Sequence, residues 1–255
     1  MPPAVRRTLG LLILGGLILG PPVPWARAAI PCPAAPRMPM PSLSHLQAAL
    51  AAGEEGVIVA LGSSSTSGAM ASDPAHEYPA VLQAALTQAL PHAHIAVLNR
   101  GIGGQDAPEE LARLQADAIA IRPQLVIWQV GVNGALHHID PDEFRSLVRE
   151  GVSRLQEAGI DVILMDSQRS PRVIAAPEHA ALDKALAAIA KETGAGLFSR
   201  EALMRAWSEE GAASVDFVAA DGLHHNDRGY ACIARALGET ILSGLHETAT
   251  LRASQ

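Results

Sequence analysis

Four short runs of almost unbroken apolar residues, at 57–61, 95–98, 125–130 and 162–165, place the strongest constraint on how this chain can fold. A strand with one wet face alternates apolar and polar residues. A run that is apolar at every position must be covered on both faces, as parallel strands are when helices cross over them. The intervening segments supply such helices: 78–90, 108–121, 141–158 and 177–193 have helical spacing, and three of them open on a proline suited to a first turn. Gly159 and Gly194 stand where two of these helices would stop. A short helix is expected over 42–52, with Ser42 or Ser44 available to cap it. A long helix over 227–245 would bury Tyr230, Ile233, Ala234, Leu237 and Ile241. A weaker fifth strand falls near 196–198 or 214–218. The chain therefore reads as an α/β protein, β-α repeated about five times with right-handed crossovers. Its 255 residues, 49% hydrophobic and only 3% aromatic, suit one domain with an aliphatic core rather than two.

The N-terminus reads as a secretory signal over residues 1–28: Arg6 and Arg7, an apolar run over 9–20, then Ala26-Arg27-Ala28 as a cleavage site. About twelve apolar residues fall short of the roughly twenty needed to span a bilayer, so a periplasmic or secreted protein starting near Ala29 is expected. Without that segment, 16 basic residues face 26 acidic ones, which argues against nucleic-acid or anionic-membrane partners. A proline-rich stretch over 29–42 should be an extended lead-in to a domain over 43–250. Cys32 and Cys232 lie 200 positions apart in a chain bound for an oxidising compartment. The spacing allows a bridge from the lead-in to the last helix, and equally two separate thiols.

In open parallel sheets ligands bind beyond the C-terminal ends of the strands, so chemistry should appear in the loops that follow them. Gly62-Ser63-Ser64-Ser65-Thr66 follows the first run, Asn99-Arg100-Gly101-Ile102-Gly103-Gly104 the second and Gly131-Val132-Asn133-Gly134 the third, while Asp221-Gly222-Leu223-His224 precedes the last helix. Together they offer a hydroxyl nucleophile, a base, an acid to orient the base and donors for an oxyanion. Plainer readings exist for each part. A serine run is more often a loop or helix cap. Gly101-Ile102-Gly103-Gly104 lacks the spacing and the first-strand position of a dinucleotide loop. His137-His138 and His224-His225 point their neighbouring side chains apart and have no cluster of further ligands, so no metal is expected. Trp128 and Gln129, alternating within a strand, read as packing and support.

These segments, in this order, resemble the conserved blocks of the SGNH (GDSL-like) hydrolases over roughly residues 57–241. The resemblance implies a three-layer α/β/α, flavodoxin-like sandwich around a mainly parallel five-stranded sheet, and no cofactor. It places the nucleophile on Ser64 and the triad partners on Asp221 and His224. The oxyanion donors fall on the N–H groups of Ser64 and Gly104, with Gly103 adjacent, and on the Asn133 side-chain amide. The sequence departs from the family pattern at three positions: Ser63 stands for the usual Asp before the nucleophile, Gly134 for the Asp after Asn133, and His225 for the Pro after His224. Gln168, Arg169 and His225 are candidate substrate contacts, although a surface loop is the plainer reading of 166–169.

An exported esterase removing O-acetyl or other short acyl groups from an envelope or secreted polysaccharide is the expectation, since no apolar lid segment is evident. The alternatives are a lysophospholipase, thioesterase or polysaccharide acyltransferase using the same triad, and a non-catalytic accessory of polysaccharide export. Oligomeric state is not legible.

Overall fold

The computed structural model describes residues 31–253, so the expected signal segment lies outside the described residues. Five strands, β1 Gly56–Gly62, β2 Ile95–Gly101, β3 Leu125–Gln129, β4 Asp161–Met165 and β5 Gly196–Phe198, form one sheet in the order β2-β1-β3-β4-β5. Every pairing in it is parallel. The helices are α1 Ser44–Ala51, α2 Tyr78–Ala89, α3 Ala107–Ala112, α4 Leu114–Asp117, α5 Val132–Leu136, α6 Pro141–Glu157, α7 Pro171–Ile174, α8 His179–Thr193, α9 Arg200–Glu209 and α10 Asp227–Ala253. The strand order reverses between β1 and β3, where the connections turn to opposite sides and leave a crevice at the strands' C-terminal edge.

The apolar runs are covered on both faces. Ile58, Ala60, Leu125, Ile127, Ile163 and Met165 pack with residues of α1, α2, α9 and α10. Their alternates Val59, Leu61, Val126, Trp128, Val162 and Leu164 pack with residues of α3, α6 and α8. Period-two side-chain alternation thus sends each strand into two separate cores, which is why no position could be polar without a partner. The polar exception within the apolar runs is Gln129, whose buried amide is used in the site described below.

Four expectations change. The fifth strand is Gly196–Phe198; residues Ser214–Asp216 form a 3-10 turn, and Val218 makes only an isolated antiparallel bridge to His225. The helix expected over 108–121 breaks into α3, α4 and a 3-10 turn, and the break falls at Arg113, where the backbone leaves the helical region at φ −97°, ψ 0°. The cap of α1 is not a serine: the cap position holds Leu43, and Asp161 Oδ2 from β4 accepts the N–H groups of His45 and Leu46, 3.0 Å each. Helix α9 was not foreseen, although Leu203, Met204 and Trp207 have helical spacing and the Ser199 side chain caps it by accepting from Ala202 N.

Residues 31–43 have no regular secondary structure, as their prolines require, yet they are packed rather than loose. Met40 is buried in the core, Trp207 Nε1 donates to Ala34 O at 3.1 Å, and Cys32 forms a disulfide with Cys232 of α10. Of the two readings open for the cysteines, the bridge is the one realised.

Candidate active site

Ser64 lies in a turn directly after β1, and three long-range contacts define its frame. Gln129 at the end of β3 turns its Oε1 across to accept Ser63 N at 3.0 Å, Ser63 Oγ at 3.1 Å and Thr66 Oγ1 at 3.1 Å. Asn99 of β2 donates Nδ2 to Thr66 O and to Glu77 Oε2, at 2.8 and 2.9 Å. Arg113 donates to Gly62 O at 2.9 Å. Gly101 is a glycine for a steric reason: a Cβ there would stand 2.1 Å from Ser67 N, so β2 could not approach the serine turn this closely. Where the resembled family has an Asp, Ser63 is buried and bonded to Gln129, so the loop is organised by a neutral amide rather than by a carboxylate.

The candidate base and acid, His224 and Asp221, lie in a tight turn between α9 and α10. Asp221 Oδ1 accepts the N–H groups of Leu223 and His224, both at 3.0 Å, and Oδ2 is 2.6 Å from His224 Nδ1. Burial raises the Asp221 pKa, but these N–H groups and the imidazole outweigh it and hold the carboxyl below its ordinary value. The opposite ring nitrogen, His224 Nε2, is 2.7 Å from Ser64 Oγ. Residues 160 apart in the sequence are thereby joined in a hydroxyl–imidazole–carboxylate chain.

The positions expected to supply oxyanion donors lie in the loops after β2 and β3. Asn133, in the first turn of the short helix α5, donates Nδ2 to Gln105 O at 2.7 Å. Gly103 borders Ser64, since a Cβ built on it would lie 3.8 Å from Ser64 Cβ. Gly104 beside it has φ +84°, a conformation that favours glycine. Gly134, a second departure, sits close against its neighbours: a Cβ there would stand 2.9 Å from Ile139 Cγ2, so Ile139 would have to shift to admit an Asp.

Two of the candidate substrate contacts are corrected by burial. Gln168 is fully enclosed, and its Nε2 donates to Leu223 O at 2.9 Å, which ties down the turn that carries His224. His225 is enclosed too, with Nδ1 3.2 Å from Phe217 O and its ring edge-on to Tyr230; burial, together with the Arg200 charge, pushes its pKa down to about 3. Only Arg169 reaches solvent, where it pairs with Glu201 at 3.1 Å. The segment 166–169 is accordingly no surface loop. Asp166, Ser167 and Gln168 are buried; Arg200 Nε donates to Asp166 O at 2.7 Å; and burial, with nearby Asp183, pushes Asp166 up to about 7.

An apolar contact also spans the two sides of the site. Val132, beside Asn133, packs with Leu223, beside His224, and with Val173 of α7, while Arg172 N donates to Gly222 O at 3.0 Å. Arg113 and Val173 carried no sequence signal. Asn99 opened the block after the second run, and Gln129 stood out as the one amide in the run 125–130.

His137 and His138 are exposed, within 3.4 and 2.9 Å of Asp106 and Glu178 respectively. Among the described residues no three or more His, Cys, Asp or Glu side chains are grouped so as to hold a metal ion. A cavity of about 560 Å³ lined by His45, Arg122, Gln124 and Gly159 opens at the N-terminal edge of the sheet, away from Ser64, and contains no nucleophile–base pair.

A family model, the Non-GDSL lipase-like family, matches residues 31–247. The chain belongs to this family. It falls within the SGNH/GDSL-like superfamily that the sequence blocks resembled, and the family's name suits a candidate nucleophile block that reads Gly62-Ser63-Ser64-Ser65. No curated protein matches the chain. Among solved structures it is similar to Axe2, an acetylxylan esterase from Geobacillus stearothermophilus, at 22% identity and TM-score 0.62 over 73% of this chain and 94% of that one. A two-domain esterase (CEX) active on acetylated mannans matches at 23% identity and TM-score 0.69, over 80% of this chain and 54% of that one. TesA matches at 20% identity and TM-score 0.62, over 74% and 99%. This Non-GDSL lipase-like protein therefore shares their SGNH-type fold. Among its described residues no helix is long and apolar enough to cross a membrane.

Proposed function

We propose that this protein is an exported serine esterase that hydrolyses short acyl esters, of the O-acetyl type, on a cell-envelope or secreted polysaccharide. The observation that carries the reading is the pair of contacts on His224: Nε2 at 2.7 Å from Ser64 Oγ and Nδ1 at 2.6 Å from Asp221 Oδ2. Ser64 Oγ attacks the acyl carbon as its proton passes to His224 Nε2, and Asp221 holds the ring in the tautomer that can accept it. The negative charge that develops on the carbonyl oxygen accepts hydrogen bonds from Ser64 N–H, Gly104 N–H and the Asn133 amide. An amide has two hydrogens, and Gln105 O takes only one of those on Asn133. His224 then returns the proton to the leaving sugar oxygen, and water, activated by the same imidazole, releases the acid and restores Ser64.

Three features favour a short acyl group on a hydrophilic carrier. The chain has an excess of acidic residues, no apolar lid segment is evident among the described residues, and fold neighbours are named for acetylated xylan and mannan. The reading is tested with p-nitrophenyl acetate and a fluorophosphonate probe followed by peptide mapping. Ser64→Ala should abolish both hydrolysis and labelling, and full hydrolysis by that variant would overturn the assignment. Activity peaking at eight carbons or longer in a chain-length series would overturn the short-acyl part alone.

A further inference from the structure

We propose that Arg113 is a positioning residue that sets the mutual spacing of the three oxyanion donors, an inference that rests on Ser64 being the nucleophile. Its side chain is 12% exposed and makes hydrogen bonds in four directions. Nη2 donates to Gly62 O at 2.9 Å, Nη1 to Arg100 O and to Asp117 Oδ2, both at 2.9 Å, and Nε to Gln105 Oε1 at 2.6 Å. Gly62 lies two residues before Ser64, Arg100 lies in the strand that leads to Gly103 and Gly104, and Gln105 follows them. Gln105 O in turn accepts from Asn133 Nδ2 at 2.7 Å. One planar guanidinium thus bonds directly to the segments that carry the first two donors, and through a single residue to the third.

No shorter or single-headed side chain can do this, because a planar fork of five N–H groups is needed to reach three segments at once. The local backbone is arranged to deliver it: the helix breaks between α3 and α4 at Arg113, which turns the side chain back toward the strand ends. None of these four hydrogen bonds goes to Asp221 or His224, so Arg113 should govern stabilisation of the oxyanion while leaving proton transfer alone.

The test uses the full mature chain with Arg113→Met, Arg113→Lys, Asp117→Asn and Ser64→Ala, each checked for native Trp fluorescence. A misplacement of about 1 Å can cost on the order of a hundredfold in rate, so Arg113→Met should lower kcat on p-nitrophenyl acetate by roughly thirty- to a hundredfold. KM should stay within about threefold, because the donors act on charge present only in the transition state. Arg113→Lys keeps the charge but not the fork, and should recover less than about tenfold of that loss. The midpoint of the pH–rate profile should not move, fluorophosphonate labelling of Ser64 should slow in parallel with kcat, and Asp117→Asn, which weakens one of the fork's four contacts and leaves the other three, should lower kcat by less than about tenfold. Arg113 variants within twofold of the parent, alongside an inactive Ser64→Ala, overturn the positioning role and leave the esterase reading intact. A rise in KM without loss of kcat, a shifted pH midpoint, or failure of both Arg113 variants to fold also overturns it. An active Ser64→Ala overturns the esterase reading itself.

Discussion

The two halves of the site are held in place by different means. The Asp221–His224 half is nearly self-contained: within four residues one carboxylate accepts two backbone N–H groups and the imidazole. The Ser64 half has local bonds of its own, Thr66 N and Ser67 N to Ser63 O at 3.0 Å and Ser67 Oγ to Ser64 O at 3.2 Å, but they leave Ser63 N, Ser63 Oγ and Thr66 Oγ1 to be satisfied from afar. Its frame comes from Gln129, 66 residues away from Ser63, from Asn99, 33 residues from Thr66, and from Arg113, 51 residues from Gly62. A locally closed unit keeps its geometry when remote partners are altered, whereas a unit assembled from distant strands depends on each of them. The acid–base half should therefore fail only when its own residues change, and the nucleophile half should fail from a distance.

Substitutions can break or sharpen this contrast. The largest effect is expected inside the turn itself: Asp221→Asn keeps an oxygen for the backbone N–H groups but can present an amide hydrogen to His224 Nδ1, and should lower kcat by about 10³–10⁴-fold with little loss of stability, measured by steady-state kinetics and thermal melting. Next comes a remote change in the other half. Gln129→Leu leaves Ser63 N, Ser63 Oγ and Thr66 Oγ1 without their buried acceptor, at roughly 1–3 kcal/mol for a buried group left unsatisfied. Misplacement of the serine turn should cut kcat by about ten- to a hundredfold. The smallest effect belongs to Gln168→Leu, which removes a donor from Leu223 O while the Asp221 turn closes on itself. Its kcat should fall by less than about tenfold, since a typical single hydrogen bond contributes about 1 kcal/mol. If Gln168→Leu proved as damaging as Gln129→Leu, the distinction between a local and an assembled half would be wrong.

The same difference explains which parts could be read ahead of the structure. Asp221-Gly222-Leu223-His224 was legible because its contacts are three residues long, and the sequence contains the whole unit. Ser64 and Asn133 were legible by place, as the residues just past two doubly buried strands, and by likeness to a family. Their supports were not, because nothing in the local sequence around Arg113 or Asn99 indicates which distant carbonyl each will meet. Gln168 and His225 were misjudged for the opposite reason: polar residues near a strand end or beside a catalytic position suggest exposure, yet here both are turned inward as struts.

For the fold, unbroken apolar runs required strands covered on both sides, and hence helices on two faces, before any pairing was known. Periodicity is a property of neighbouring residues and survives in the linear order. The places where residues far apart meet depend instead on strand order and on how closely backbones can approach. The Cys32–Cys232 bridge, the Asp161 cap on α1 and the break of α3 from α4 at Arg113 all belong to that second class. The chain order alone named the candidate reactive groups. Bringing Ser64 Oγ to 2.7 Å from His224 Nε2 took the packing of five strands, because that distance is a sum over contacts no local segment contains.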